Sequence, residues 1–397
     1  MPSNPGRPFP FRRSRAEQVA LSRRGFLQAT AALGFGSAFL SACSTNPSTV
    51  AKTGGDGATD RLVWSNWPLS VDTDDDGTIP SLVEFEKRTG IRTDYLAEIN
   101  SNDEWFAKVQ PLMDSGQGID ASVISPTDWM GGRFIDRDWA VKLDKSKLGN
   151  LDHLLDAFAS PAFDPQRDYS LAWQGWLVGI AVNTDVTGRD VQTIDELLTD
   201  KGLKGKISLL TELRETTGML LLAQGHDPAD FTDDEFAEAI EDIDRAKASG
   251  QLRRFTGNDY AADLAKGNIG ACLAWAGDVV QLSKDNPAIK FFVPDSGSVL
   301  LEDVMMIPAN APNVDGAHQL IDFYYEPEIA ARVAAYVNAF CPVQGAQEAM
   351  ADVDPELADN ELIFPSAEMM QRMHTYMPLA GEQNQTYQSA FDKALGL

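Results

Sequence analysis

From residue 61 onward the chain alternates short apolar runs with amphipathic stretches, and no other feature constrains its fold as tightly. Leu62–Trp67 reads as a strand. In Ile79–Thr89, Ile79, Leu82, Val83 and Phe85 fall at helical spacing, and Gly90 stops the helix. Arg92–Leu96 is the next strand. Asn102 or Asp103 is expected to cap a helix carrying Trp105, Phe106, Val109, Leu112 and Met113, with Pro111 kinking or shortening it. Ala121–Ile124 is a third strand. Further strands are expected at Trp176–Asn183, Lys206–Leu210, Gly270–Trp275 and Ile289–Val293. Helices fit at Arg214–Gln224, Asp233–Ser249, Ala261–Lys266, Gly277–Ser283, Asp315–Tyr324 and Glu328–Val337. Strand–helix–strand repetition predicts an α/β fold with a parallel sheet and helices on its faces.

The N-terminal segment has a separate purpose. Ser22-Arg23-Arg24-Gly25-Phe26-Leu27 precedes an apolar run from Ala29 to Phe39, which is short and rich in Gly, Ala and Ser. A twin arginine before such a run is an export address. Leu40-Ser41-Ala42-Cys43 resembles a bacterial lipobox. That resemblance implies cleavage before Cys43 and lipid attachment to its thiol. Residues 1–42 are thus expected to be a twin-arginine lipoprotein signal peptide, and 43–60 a flexible, lipid-anchored tether. The 355 residues left by cleavage exceed one ordinary core, so two lobes are expected.

Charge narrows the partners. The chain has 33 Lys and Arg against 59 Asp and Glu. Residues 1–42 take six Arg and one acid (Glu17), which leaves 27 basic and 58 acidic residues and a formal charge of −31. Such a surface repels nucleic acid and attracts cations; a generic acidic, soluble surface is the other reading. The four His are scattered, with no His/Cys spacing typical of zinc. Cys272 and Cys341 are either a disulfide, which an exported protein permits, or two buried thiols.

In parallel α/β sheets, ligands bind beyond the carboxyl ends of the strands. The residues there share a character. Trp67 ends the first strand, Thr127-Asp128-Trp129 follows the third, Glu212 to Glu215 follows Lys206–Leu210, and Trp275 ends a later strand. Glu302-Asp303 precedes the apolar Val304–Ile307. Carboxylates accept ammonium hydrogen bonds, and indole faces attract cations. Together they suit an organic amine, although any single Trp is as well explained by core packing. No Gly-x-Ser-x-Gly elbow, His-Glu-x-x-His or P-loop occurs. An exported hydrolase would have to rest on Glu212 or Glu215.

An ordered series of segments covers most of residues 61–345. It comprises Ser65-Asn66-Trp67, Glu84 to Ile91, Asn102 to Lys108, Ser125-Pro126-Thr127-Asp128-Trp129-Met130 and Leu143 to Leu148. Gly175 with Val178 to Asn183, Glu212 to Glu215, Gly270 to Trp275 and Asp303 to Asn310 complete it. In this order and spacing the chain resembles the spermidine/putrescine-binding proteins of ABC importers, within the type II periplasmic-binding-protein superfamily.

The resemblance implies a two-lobed fold, each lobe a mostly parallel sheet flanked by helices, that closes on a ligand held between the lobes. Lobe 1 is expected to comprise 61–175 and 304–345, and lobe 2 to comprise 176–303 and 346–397, with crossings near Gly175, Asp303 and Gly345. It also implies that Trp67 and Trp129 form aromatic walls on the first lobe, beside the Thr127 hydroxyl. Glu212 and Glu215 form an acidic pair on the second lobe, Trp275 its aromatic wall, and Asp303 binds a charged nitrogen near the crossing. Three positions depart from the family pattern. Pro68-Leu69-Ser70 stands where a polar loop with a Glu is common, Leu301 where many members have a Trp, and Ala339-Phe340-Cys341-Pro342 lacks an expected Tyr.

The reading is a monomeric lipoprotein on the outer face of the cytoplasmic membrane, held there only by its lipid. It captures putrescine or spermidine for an ABC transporter permease and needs no cofactor or metal. A quaternary amine such as choline or betaine is the alternative ligand; it would need an aromatic cage and few carboxylates.

Overall fold

The computed structural model describes residues 60–99, 101–379 and 381–397. The expected signal peptide, Cys43 and nearly all of the tether lie outside the described residues.

Strand β1 (Arg61–Asn66) leads to helix α1 (Pro80–Thr89), strand β2 (Arg92–Ala97), helix α2 (Asn102–Asp114), strand β3 (Val123–Ile124) and helix α3 (Asp128–Ile135). Pro80 opens α1, where its missing N–H is no loss, and Gly90 closes it at φ 73° with its N–H on Glu86 O. The cap of α2 is Ser101, whose hydroxyl accepts the Glu104 N–H, not Asn102 or Asp103. Pro111 sits in the last turn of α2, which ends three residues later.

After a largely irregular run comes the 14-residue strand β4 (Ser170–Asn183), six residues earlier in onset than its apolar run suggested. Then follow β5 (Ile207–Leu210), α4 (Leu213–Gln224), α5 (Asp233–Ala248), β6 (Leu252–Thr256), α6 (Tyr260–Ala265), β7 (Ala271–Trp275), α7 (Ala276–Asp285), β8 (Ile289–Phe292) and β9 (Ser298–Met306). The chain ends with α8 (Val314–Tyr324), α9 (Pro327–Val337), α10 (Ala346–Val353), the short β10 (Met373–His374) and α11 (Gly381–Leu395).

The strands follow the order β2-β1-β3-β9-β4-β7-β5-β6. The outer groups are parallel: β2 with β1 and β1 with β3 on one side, β7 with β5 and β5 with β6 on the other. The central strands β9 and β4 run antiparallel to each other and to their neighbours β3 and β7. Parallel pairing therefore holds among β2, β1 and β3 and among β7, β5 and β6, but fails where β4 and β9 pair with each other and with β7 and β3, and β8 also pairs antiparallel with β4.

Those two long strands join two cores. On β4, Leu171 and Trp173 are buried with Leu62, Trp64 and α8–α9, whereas Val178 to Val182 are buried with β5, β7 and α4. On β9, Val299 and Leu301 belong to the second core, Met305 to the first, and Val304 and Met306 to the opposite face of the first lobe with α2 and α3. The third passage comes later than Gly345. Ala346, Met350, Leu357 and Ile363 are buried in the first core, whereas β10, paired with β9, and Tyr376, Tyr387, Phe391 and Ala394 lie with the second. Apolar spacing in α10 says that one face is buried, not against which lobe.

Cys272 lies in the second core and Cys341 in the first, and both are free, buried thiols. The bridge is therefore absent. Burial pushes both thiols up, Cys341 to about 12 and Cys272 further, so neither is reactive near neutral pH.

Candidate ligand-binding cleft

A cleft of ≈ 420 Å³ opens between the two lobes, within the size range of small-molecule sites. All seven residues singled out as ligand contacts line it: Trp67, Thr127, Trp129, Glu212, Glu215, Trp275 and Asp303. Most share an origin. Trp67 follows β1, Thr127 and Trp129 follow β3, Glu212 and Glu215 follow β5, and Trp275 ends β7. The parallel strands of both halves thus point their carboxyl ends into one space.

On the first lobe the wall is fixed from behind. The Trp67 backbone N–H donates to Asn66 Oδ1 at 2.7 Å, and Tyr95 Oη donates to Trp67 O at 2.5 Å. Gln174 Nε2 holds Ser70 O at 2.7 Å, which pins the Pro68-Leu69-Ser70 loop. The Trp67 indole N–H is buried and makes no hydrogen bond of good geometry, but it lies close enough to the Asp303 carboxylate to favour its charged form. Asn102 clasps Thr127 twice, donating from Nδ2 to Oγ1 at 2.9 Å and accepting the Thr127 N–H on Oδ1 at 3.2 Å. Thr127 in turn donates to Asp303 Oδ1 at 3.1 Å.

Asp303 lies on β9 where it passes between the lobes, and is 3% exposed. Its second oxygen accepts the Trp176 indole N–H at 2.8 Å. Period-two alternation gives its neighbour a different task. Glu302 faces the other side of the ladder, and both its oxygens accept from one nitrogen of buried Arg167, Nη2, at 2.8 and 2.6 Å. Burial pushes the Asp303 carboxyl up to about 7, with Trp176, Thr127 and, more weakly, Trp67 pulling the other way.

On the second lobe, Glu212 is the N-cap residue of α4 and Glu215 lies in its first turn. Burial first, and then proximity to another acid, raises both; for Glu215 that acid is Glu212, for Glu212 it is Asp103. Glu212 keeps contact with solvent and Glu215 is half-buried, so water in the cleft softens the effect. The helix N-terminus favours negative charge there. Between them in sequence is Arg214, almost fully buried. It donates to Asn384 Oδ1 at 2.9 Å and lies 4.2 Å from the centre of the Trp129 ring across the lobe boundary.

Trp275 and Asp278 are set by one phenol. Tyr260 Oη donates to Asp278 Oδ2 at 2.6 Å and accepts the Trp275 backbone N–H at 3.0 Å. Sequence reasoning missed Asp103, Trp176, Asn258, Asp278 and Gln281, which also line the cleft. Asp278 was discoverable, being in the first helical turn after Trp275. From the sequence Trp176 is only the start of a buried strand. Among the described residues, no group of three or more His, Cys, Asp or Glu is arranged to hold a metal ion.

Two lobes joined by long crossing strands, with convergent acids and indoles between them, define the class of solute-binding proteins. The model of the family described as bacterial extracellular solute-binding protein matches residues 81–365, and the chain belongs to that family. It is similar to the spermidine/putrescine-binding periplasmic protein of Salmonella typhimurium, 26% identical over 314 residues, 79% of this chain and 85% of that one. The putrescine-binding periplasmic protein PotF of Escherichia coli K12 is 28% identical over 319 residues, 74% of this chain and 82% of its own length. The fold matches the crystal structure of the spermidine/putrescine ABC transporter substrate-binding protein PotD of Streptococcus pneumoniae. That match has a TM-score of 0.73 at 22% identity and covers 85% of this chain and 98% of that one.

Proposed function

We propose that this protein captures polyamines outside the cytoplasm and delivers them to the permease of an ABC transporter. The observation that carries the reading is the pairing of carboxylates on opposite sides of one indole-lined cleft, Asp303 at the crossing and Glu212 with Glu215 on the second lobe. Asp303 is a buried acid with no cation among the groups that shift its carboxyl, which costs on the order of several kcal/mol, and the part-exposed Glu212 and Glu215 add negative potential, so the cleft favours a cation. A polyamine offers ammonium groups separated by methylenes. Asp303 and the Glu pair take the ends, and the faces of Trp67, Trp129 and Trp275 cover the chain. The names of the relatives support the same ligand class.

Binding and cleft closure involve no chemistry on the ligand, which leaves as it arrived. The chain acts as a monomer and is tethered through lipid on Cys43 after export of the folded protein. The lobe surfaces beside the closed cleft dock to the permease. The domain division that fits the cores is 61–173 with 304–365 for the first lobe, and 178–301 with 373–397 for the second.

Tryptophan fluorescence titration tests the reading with wild type, Glu212→Gln and Asp303→Asn. Putrescine or spermidine should saturate the wild-type signal, and each variant should weaken binding at least tenfold. Glycine betaine binding that both variants leave intact would sink the carboxylate assignment.

A further inference from the structure

The floor of the cleft is the antiparallel ladder of β4 and β9, and its register places one residue in an unassigned role. Trp176 pairs directly with Leu301, and Gln174 with Asp303. Residues opposite each other in an antiparallel pair share a face, and so do residues two apart on one strand. Trp176, Leu301 and Asp303 therefore project to the same side, and all three line the cleft. Trp176 is half-buried, its N–H spent on Asp303 Oδ2 at 2.8 Å. Leu301, as an aliphatic neighbour, leaves room for the indole beside the carboxylate.

We propose that Trp176 is a specificity-determining residue that binds through both of its chemistries: its N–H sets the orientation of Asp303, and its ring covers the methylenes next to the ammonium that Asp303 holds. This rests on the polyamine reading above. The argument is geometric. A carboxylate that must meet an ammonium has to present a lone pair to it. Thr127 takes a lone pair of Oδ1 and Trp176 one of Oδ2, so the remaining lone pairs have fixed directions. The ring that supplies the second bond is joined rigidly to the donor, so it cannot leave the ligand's path without breaking that bond. Leu301 opposite has an apolar surface but no donor and no π face. An indole at position 301 would stand on the same face and could replace the ring but not the N–H geometry.

Three variants separate the two roles. Trp176→Phe keeps a ring and removes the donor. Affinity for spermidine should fall about tenfold, the usual scale of one hydrogen bond to a charged group, and the pH midpoint of binding should move upward. Trp176→Leu removes both and should lose considerably more. The double variant Trp176→Leu/Leu301→Trp returns an indole to the same face from the other strand. It should recover most of the ring contribution while keeping the shifted pH midpoint. A residue that only supports the fold would lower thermal stability without moving the pH midpoint and without rescue from position 301. Trp176→Phe, smaller but still aromatic, guards against simple misfolding of the Leu variant. If the wild type binds spermidine and Trp176→Leu binds within twofold of it, or if Leu301→Trp gives no rescue, the inference is overturned and the polyamine reading stands. If the wild type binds no polyamine, both fall.

Discussion

Replacing Asp303 by Asn should weaken ligand binding and, above neutral pH, stabilise the ligand-free protein. The carboxyl is 3% exposed and pushed up to about 7 from an ordinary 3.8. A gap of that size corresponds to roughly 4 kcal/mol of preference for the protonated form in the folded state. Because the folded state binds the proton more tightly than the unfolded state, stability falls as pH rises from about 4 to about 7 and is level above that. Asn removes this penalty at a smaller cost. Its amide oxygen can accept from Thr127 or from Trp176, but its nitrogen cannot accept from the other, and one unmatched donor costs about 1–3 kcal/mol. The net expectation is a crossover. At pH 8 the variant is more stable by about 1–3 kcal/mol, and near pH 4.5 it is less stable by a similar amount. For a chain of this size each kcal/mol moves Tm by roughly 2–4 °C. Affinity moves the other way. Removing one partner of a buried charge pair costs about 2–5 kcal/mol, or about 30-fold to a few thousand-fold in Kd. Scanning calorimetry of ligand-free protein at the two pH values, with titrations beside it, gives both readouts. Equal destabilisation of the variant at pH 4.5 and pH 8 would refute the reasoning.

Two further substitutions test contacts that hold the lobes and the crossing strands. Arg214 of α4 lies on the Trp129 ring of α3, a contact worth about 0.5–2 kcal/mol that joins the lobes; Arg214→Met should enlarge the ligand-free radius of gyration in small-angle scattering and weaken binding, and an unchanged radius and Kd would show that the contact does not favour closure. Arg167→Met leaves Glu302 buried without its partner and should cost about 3–5 kcal/mol in urea unfolding at pH 8. Glu302 is already raised to about 7 by burial, so the loss should shrink at pH 5.5, where the acid takes a proton; a loss independent of pH would mean that packing, not charge, dominates.

Much of the cleft could be read from residues alone because the α/β rule maps strand ends onto ligand positions. Trp67, Thr127, Trp129, Glu212 and Trp275 each follow or end a strand whose apolar run was visible. What escaped depends on contacts distant in sequence. Trp176 looks like any other member of a buried strand until the register with Leu301 and Asp303 is known. Arg214 reads as a helix residue between two acids, and its stacking on Trp129 spans 85 positions. The edge strand Leu252–Thr256 (LRRFT) carries two exposed arginines, so its apolar signal is weak. Residues 346–363 remain in the first lobe because Met350, Leu357 and Ile363 fit that core, a destination that periodicity does not encode. The antiparallel centre was hidden for a related reason: strands buried on both faces carry no mark of direction.

The most direct test of the central claim is calorimetric titration of the purified protein at pH 7 with spermidine, putrescine and glycine betaine, in two buffers of different ionisation enthalpy. Asp303 is pushed up to about 7 and Glu215 is raised as well, so a cation that enters the cleft should displace protons. The account predicts one-to-one binding of a polyamine, proton release on binding, and affinity that falls as pH drops below 7. Tight binding of betaine without proton release, with no polyamine bound, would contradict it.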